Sequence, residues 1–233
     1  MALAFLLGLI WAARRAQRQG LDPALVSDLG MWLIVAALVG AKLFHVLFCW
    51  DEFSTGWRAE GWKSLREGFV FYGGFIGACL ATIVFARCRQ VDLWKLADAF
   101  APAVAFGHAL GRLGCFFNGC CYGVPTQCPL AVKFPAGHLM HDIPVHPTQL
   151  YEVAGNLFLL TGLLVWGRRQ RFAGQIWWLY VLGYGVLRLV VEHWRGDYAT
   201  QWLGVLTDGQ VVAIAMITVA AVALPVMGRR KSC

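Results

Sequence analysis

Seven long apolar segments divide the sequence, at about 1–13, 24–49, 68–87, 97–116, 149–167, 174–194 and 208–227. Most of them approach the roughly 20 residues that a helix needs to cross a bilayer. Because lipid offers the backbone no hydrogen-bond partners, only α-helices and closed β-barrels span a membrane, and these runs are too long and continuous for barrel strands. The sequence therefore predicts an all-α, polytopic membrane helix bundle of about seven transmembrane helices, forming a single domain over residues 1–233.

Composition agrees with a membrane protein, since 59% of the residues are hydrophobic and only 14% are charged, against about half and a quarter in soluble domains. The run MALAFLLGLIWAA precedes Arg14, Arg15 and Arg18, the reverse of the order in a signal peptide. It predicts either a short first helix or one that lacks a few residues at its start.

Basic residues fall in short clusters between the apolar runs, so the net charge of +7 indicates contact with membrane lipids and no nucleic acid. The positive-inside rule then places the N-terminus outside and the C-terminus in the cytoplasm, with extracytoplasmic loops at about 50–67, 117–148 and 195–207. The clusters of the first, third and fifth loops and of the tail are Arg14, Arg15, Arg18, Arg87, Arg89, Lys95, Arg168, Arg169, Arg171, Arg229, Arg230 and Lys231.

With this orientation, the polar residues of the spans gather in the outer half of the bilayer. Intramembrane charge is costly and is therefore a functional-site hypothesis by default, so one cavity is predicted. The residues that carry this prediction are Lys42, His45, Tyr72, Gly73, Gly74, Arg112, His146, Gln149, Tyr151, Glu152, Tyr184, Arg188, Glu192, Arg195, Asp208 and Gln210.

The sixth segment gives the clearest pattern, because Tyr184, Arg188 and Glu192 are spaced i, i+4, i+8 and lie on one side of a helix. A charged side cannot face lipid, so it faces the bundle interior. The alternative interpretation is an internal ion pair between Arg188 and Glu192 that only holds helices together.

The stretch GRLGCFFNGCCYG, residues 111–123, places one arginine among glycines and cysteines. The guanidinium of Arg112 offers a planar donor pair that suits a phosphate, and the glycines allow backbone N–H groups to approach a headgroup. Asn118 adds a neutral donor and acceptor. Alternatively, Arg112 extends to the membrane interface without a ligand.

The four cysteines of this region, Cys115, Cys120, Cys121 and Cys128, have the spacing C-x4-C-C-x6-C. The spacing differs from zinc-ribbon and ferredoxin patterns, so no metal site is predicted. On the oxidising side of the membrane, a disulfide among the last three is the favoured interpretation.

The stretch VHPTQLYE is typical of a helix start, with Pro147 at the entry, Thr148 as a cap and Glu152 in the first turn. This does not explain His146 or Gln149. His146 can titrate near neutral pH and could serve as a general base, or it could only form a hydrogen bond.

In this order, the motifs GAKLFHVLF, FYGGFIGA, GRLGCFFNG, HPTQLYE and YGVLRLVVEHWR resemble the prolipoprotein diacylglyceryl transferase family over nearly the whole chain. The resemblance implies a multi-pass enzyme of the bacterial inner membrane with its active site toward the extracytoplasmic side. Such enzymes transfer the diacylglyceryl group of phosphatidylglycerol to the lipobox cysteine of a prolipoprotein, forming a thioether and releasing glycerol phosphate. Neither a cofactor nor a metal is expected.

The resemblance also implies residue roles. The phosphatidylglycerol-binding arginine of the family matches Arg112, and its essential tyrosine and arginine match Tyr184 and Arg188. We predict Arg112, Arg188, His146 and Tyr72 as catalytic, with Glu152 as another possible proton acceptor. The predicted substrate-binding residues are Arg112, Asn118, Gly73, Gly74, Gln149, Tyr151, Glu152, Tyr184, Glu192 and Arg195.

The chain departs from the family at a few positions: Tyr72 replaces a frequent histidine, Lys42 a common arginine, and Cys115 and Cys120 the asparagine and glutamate of some members. Three alternatives therefore stay open. A transporter or channel is disfavoured because the inner halves of the spans are almost purely apolar. The others are a thiol-oxidoreductase that uses Cys120, Cys121 and Cys128, and a paralogue with another acceptor or lipid donor.

Overall fold

The computed structural model describes residues 2–66, 68, 70–138, 140–196, 201–202 and 206–229. Within these ranges the chain forms eight α-helices, two short 3-10 helices (Gly61–Arg66 and Gly167–Arg169) and one antiparallel pair of two-residue strands, β1 (Gln201–Trp202) and β2 (Leu206–Thr207). The α-helices are α1 (Ala2–Arg18), α2 (Pro23–Phe48), α3 (Trp50–Glu60), α4 (Phe71–Cys88), α5 (Leu93–Asn118), α6 (Thr148–Trp166), α7 (Gln175–Glu192) and α8 (Asp208–Arg229).

The all-α prediction is confirmed, and each of the seven predicted apolar segments overlaps one helix. Among the described residues, four helical segments are long and apolar enough to cross a membrane, namely Pro23–Phe48, Leu93–Asn118, Thr148–Arg169 and Asp208–Arg229. Helix α3 was not predicted, because its sequence WDEFSTGWRAE mixes aromatic and charged residues. Its charges nevertheless suit a helix, with Asp51 and Glu52 in the first turn and Arg58 in the last.

The chain forms two compact units, Ala13–Leu96 and the combination of Met1–Ala12 with Ala97–Cys233. In the first unit, α2 and α4 approach each other through glycines. A Cβ atom added at Gly40 would overlap the carbonyl oxygen of Gly73, and one at Gly77 would overlap that of Ala36. Small residues that allow backbones to approach are typical of helix contacts in membranes.

In the second unit, α5, α6 and α7 share an apolar core of small and large side chains. The alanines of α5 leave room for the larger residues of its neighbours, and close packing of this kind fills the interior without voids. The buried members of this core are Ala101, Ala105, Leu160, Leu163, Ile176 and Tyr180.

Asp98 connects the beginning of α5 to the beginning of α7. Its fully buried carboxylate accepts hydrogen bonds from the side-chain amide of Gln170 at 2.5 Å and from the backbone N–H groups of Gly174 at 2.6 Å and Trp177 at 2.9 Å. A helix N-terminus has N–H groups without partners in the helix, and a carboxylate there is favourable. Asp98 therefore caps α7 from 76 residues away in sequence, a contact that the sequence pattern did not indicate.

Candidate active site

Helices α5, α6 and α7 bring arginines together around one carboxylate, that of Glu152. Its Oε2 atom lies 2.7 Å from Arg112 Nε, and its Oε1 atom lies 2.9 Å from Arg188 Nη1 and 3.7 Å from Arg195 Nη1. The Glu152 side chain is only 2% exposed. The structure thus unites Arg112 and Arg188, which the sequence placed on separate helices.

A second carboxylate, Glu192, completes this group. Its Oε2 atom lies 2.9 Å from Arg188 Nη2, and its Oε1 atom accepts a hydrogen bond of 2.6 Å from the Thr207 hydroxyl. The internal ion pair considered from the sequence therefore exists, but Arg188 also reaches across to α6. We call Arg112, Arg188, Arg195, Glu152 and Glu192 the arginine cluster.

Two further residues lie against the Glu192 carboxylate, Thr207 at the end of β2 and Gly209 in the first turn of α8. Thr207 donates the hydrogen bond described above, and a Cβ atom added at Gly209 would lie 2.6 Å from the Glu192 carboxylate carbon. The absence of a side chain at Gly209 thus gives Glu192 its space. Neither residue was predicted, since nothing in the local sequence relates them to the end of α7.

The arginine cluster brings several buried charges together. Three guanidinium groups face two carboxylates, and the five side chains are at most 16% exposed. Charge taken out of water is expensive unless it is compensated. Each guanidinium has several N–H donors, which suit an oxyanion such as a phosphodiester.

Tyr184 and His108 lie beside the cluster. The Tyr184 hydroxyl is 3.3 Å from His108 Nε2, the two ring centroids are 4.5 Å apart, and Tyr184 also lies near Arg112. His108 was not predicted from the sequence, although a signal was present. His108 precedes Arg112 by four residues on α5, which puts both on the same side of that helix.

The first residues of α6 form hydrogen bonds with the loop that follows α5. The Thr148 hydroxyl donates to the Cys121 carbonyl oxygen at 2.8 Å, and the Gln149 side-chain amide donates to that of Cys120 at 2.7 Å. Both side chains are buried. The prediction that Thr148 caps α6 is therefore wrong, because its hydroxyl reaches the neighbouring loop instead of its own helix.

His146 and Tyr151 form a second polar group with Trp194. The Nδ1 atom of His146 lies 3.0 Å from the Tyr151 hydroxyl, and both rings pack near Trp194 with centroid distances of 6.4 and 6.1 Å. Asn118 is the last residue of α5 and is exposed. These residues border the beginning of α6 and the ends of α5 and α7.

The remaining predicted site residues belong to the first unit. Gly73 and Gly74 lie at the contact of α2 and α4, where a Cβ atom at Gly74 would come within 3.1 Å of the Ala37 carbonyl oxygen and one at Gly73 would overlap Phe44. Their observed contacts are therefore those of helix packing, and substrate binding by them stays a prediction. The side chain of Tyr72 lies outside the described residues.

The favoured disulfide is not formed. Cys120, Cys121 and Cys128 are free thiols in the structure, as is Cys115. The thiols of Cys115, Cys120 and Cys121 nevertheless lie close together, within 4.8 Å of one another. The sequence spacing placed these residues in one loop but did not indicate that they would remain unpaired.

Comparison with known proteins extends over nearly the whole chain. The sequence profile of the family described as prolipoprotein diacylglyceryl transferase matches residues 1–226. A phosphatidylglycerol–prolipoprotein diacylglyceryl transferase of Synechococcus elongatus is 36% identical over 236 residues, which cover 96% of this chain and 80% of the relative. A protein of the same name from Finegoldia magna is 34% identical, with 99% and 90% covered. One from Synechocystis sp. is also 34% identical, with 93% and 79% covered.

Proposed function

Since the chain belongs to the prolipoprotein diacylglyceryl transferase family, we propose that it transfers the diacylglyceryl group of phosphatidylglycerol to the lipobox cysteine of bacterial prolipoproteins. The enzyme is a multi-pass bacterial membrane protein whose helices α2, α5, α6 and α8 have the length and apolarity of membrane spans. The acceptor is the substrate's own thiol, so the enzyme needs no covalent nucleophile of its own.

The observation that carries this proposal is the arginine cluster. Arg112 and Arg188 meet at Glu152 from two different helices, so two guanidinium groups are held close to one another. Phosphatidylglycerol carries one negative charge on its phosphodiester, a group that guanidinium N–H donors bind in pairs. We assign Arg112 to holding the phosphate and Arg188 to stabilising the glycerol phosphate as it leaves.

In the reaction, the thiolate sulfur attacks the glycerol carbon that carries the phosphate. A C–S bond forms while the C–O bond to phosphate breaks, and the electron pair leaves with the phosphate oxygen. Glycerol phosphate thereby gains one negative charge, and preorganised guanidinium groups stabilise such developing charge. The thiol proton passes to a base before or during the attack, because the thiolate is the nucleophile.

We assign the base to His146. Both carboxylate oxygens of Glu152 contact guanidinium groups, so the part of Glu152 is to position Arg112 and Arg188. The Nδ1 atom of His146 contacts the Tyr151 hydroxyl, and Nε2 is then the atom that takes the proton, directly or through water. Tyr72, which replaces a histidine frequent in the family, is the alternative acceptor.

We further propose seven membrane spans, with the N-terminus outside, the C-terminus in the cytoplasm and the active site toward the extracytoplasmic face. The alternation of basic loops supports this orientation. The polar residues of the arginine cluster lie near the end of α5, the beginning of α6 and the end of α7, which this topology assigns to the same side of the membrane.

A reconstituted assay tests the function. The purified protein is incubated with phosphatidylglycerol and a lipobox peptide, and the peptide mass is measured. We expect the mass of one diacylglyceryl group to be added through a thioether that neutral hydroxylamine does not cleave, and no addition to a peptide with serine in place of cysteine. Phosphatidylethanolamine serves as the control donor. Modification from that lipid alone, or solute flux across liposomes without any peptide modification, would refute the proposal.

A further inference from the structure

Three thiols converge where α5 ends, and the ion pairs described above for the arginine cluster do not involve them. The sulfur atoms of Cys115, Cys120 and Cys121 all lie within 4.8 Å of one another, and the three residues are partly buried. We call them the thiol cluster. Cys128, eight residues after Cys120, is also a free thiol but is not a member of the cluster.

The backbone around the thiol cluster is fixed by several independent contacts. The Cys120 N–H donates to the Cys115 carbonyl oxygen at 3.1 Å, which closes the end of α5 onto the loop. The buried side chains of Thr148 and Gln149 donate hydrogen bonds to the carbonyl oxygens of Cys121 and Cys120, respectively. Cys121 itself has a φ of +62°, a left-handed conformation that costs energy for a residue other than glycine. The loop is thus held in one conformation that directs three sulfurs toward one another.

From this geometry we propose that the thiol cluster binds one thiophilic metal ion, such as Zn²⁺ or Cu⁺. In a tetrahedral zinc site with Zn–S bonds of about 2.3 Å, neighbouring sulfurs are about 3.8 Å apart. Thiols within 4.8 Å reach this separation through small side-chain rotations. Thiolate ligands select soft or borderline ions such as Cu⁺ and Zn²⁺ over Mg²⁺ or Ca²⁺.

The proposal reverses the prediction made from the sequence spacing. C-x4-C-C matches no common metal motif, because such motifs describe ligands on regular turns. Here the first ligand is in the last turn of α5, and the other two are placed by a left-handed turn and by side chains of α6. Three protein ligands leave a fourth coordination position for water or a small ligand.

Disulfide formation is the competing outcome. It would consume two of the three thiols and leave the third alone, whereas the structure keeps all three within reach of a single ion. A second group, His45, Cys49 and Glu52 in the first unit, also has atoms within 4.8 Å. There Glu52 is exposed and the ligands are of three kinds, so we favour the thiol cluster and use His45 as a control.

Metal titration of the full-length protein tests the proposal. The reduced protein, purified without oxygen in detergent, is titrated with Co²⁺, and the sulfur-to-cobalt charge-transfer absorption is recorded. We expect one equivalent to bind and to be displaced by Zn²⁺. Replacing any one ligand should lower the affinity for Co²⁺ at least about 10-fold, because even changes in residues that only contact a ligand cost that much. The variants are Cys115→Ser, Cys120→Ser and Cys121→Ser. Cys128→Ser and His45→Ala should bind as the unmodified chain does.

A stability measurement separates lost ligands from lost folding. Each serine variant should unfold at the temperature of the unmodified chain when both lack metal, and only the unmodified chain should gain thermal stability on adding Zn²⁺. The absence of a charge-transfer band would overturn the proposal. So would a band that survives the combined replacement of the three cysteines, or a band that disappears with His45→Ala.

Discussion

Two buried carboxylates of the second unit, Asp98 and Glu152, are satisfied in opposite ways. Asp98 accepts from two backbone N–H groups of the α7 N-terminus and from Gln170, donors whose positions follow from the helix itself. Glu152 contacts the guanidinium groups of Arg112 and Arg188, which are full charges on long side chains. The first arrangement ties helices together, whereas the second gathers guanidinium groups from different helices around one carboxylate.

The two sites also differ in what surrounds the carboxylate. The groups in contact with Glu152 are guanidinium cations, while the donors around Asp98 in these hydrogen bonds are neutral amides. Asp98 and Arg112 are 14 residues apart on α5, about 21 Å along the helix axis. One helix therefore carries a structural residue near its beginning and a candidate catalytic residue near its end.

The largest expected effect is on activity at the arginine cluster. Arg112→Gln should lower the rate of diacylglyceryl transfer by about 100- to 1,000-fold, the range seen when one preorganised donor to a developing charge is removed. Glu152 keeps Arg188 as a partner, so folding should persist. Rates are measured with phosphatidylglycerol and a lipobox peptide. Arg89→Gln, which breaks an exposed ion pair with Asp28, is the matched control and should retain full activity. A fully active Arg112→Gln protein would show that Arg112 has no part in the reaction, and the functional difference between the arginine cluster and Asp98 would be lost.

Asp98→Asn should show the reverse behaviour. The asparagine side chain replaces one carboxylate oxygen by an NH2 group, which cannot accept a hydrogen bond from the donors around Asp98. The variant should therefore lose about 2–4 kcal/mol of unfolding free energy through broken charge-assisted hydrogen bonds. Activity per folded molecule should not change. Thermal unfolding in detergent measures the loss. Asp92→Asn, at an exposed cap of α5, should cost about 1 kcal/mol or less. A stable Asp98→Asn protein with reduced activity would assign Asp98 to the reaction instead.

Glu192→Gln tests whether the rate of transfer depends on the position of Arg188. The variant loses the ion pair at 2.9 Å but keeps the contact of Arg188 with Glu152. We expect kcat to fall about 10-fold, which corresponds to about 1.4 kcal/mol. KM for phosphatidylglycerol should not rise, because the cluster gains formal positive charge. A rise in KM at constant kcat would instead make Glu192 a contributor to lipid binding.

The smallest effect is expected for Gly209→Ala. The added methyl group would press on the Glu192 carboxylate, whose side chain can move aside, so a loss of only about 2- to 5-fold in kcat is expected, within 1 kcal/mol. Gly107→Ala is the control, since no described atom outside the neighbouring backbone of α5 lies within 4 Å of the added carbon and alanine favours a helix. Equal activities of the two variants would show that Gly209 does not control the position of Glu192.

The sequence predicted much of the site because helix spacing limits which residues can meet. Tyr184, Arg188 and Glu192 share one side of α7 by periodicity alone, and the same rule would have related His108 to Arg112. The sequence predicted fewer of the contacts that the loops make. Thr148 has the composition of a cap, but its hydroxyl bonds Cys121, a partner 27 residues away that no local pattern identifies.

The glycines of α4 also show that a local sequence pattern does not identify the partner in a contact. FYGGFIGA supports the family resemblance, and from it Gly73 and Gly74 were predicted to bind substrate. In the structure they lie where α2 and α4 touch, a role that depends on which helix packs beside α4. A pair of glycines allows close approach of a backbone, but the sequence does not state whether lipid or another helix makes that approach.

The sequence by itself determined that this protein is a helical membrane protein and which side chains share a side of each helix. Both follow from the chain alone, since lipid forces the backbone into helices and the helical repeat sets neighbours within a few residues. Only the tertiary structure decided that Glu152 joins Arg112 to Arg188, that Asp98 caps α7, and that three thiols stay close together and unpaired. Those contacts join residues on different helices and loops, where the partner is chosen by packing and by the cost of leaving a buried charge without compensation.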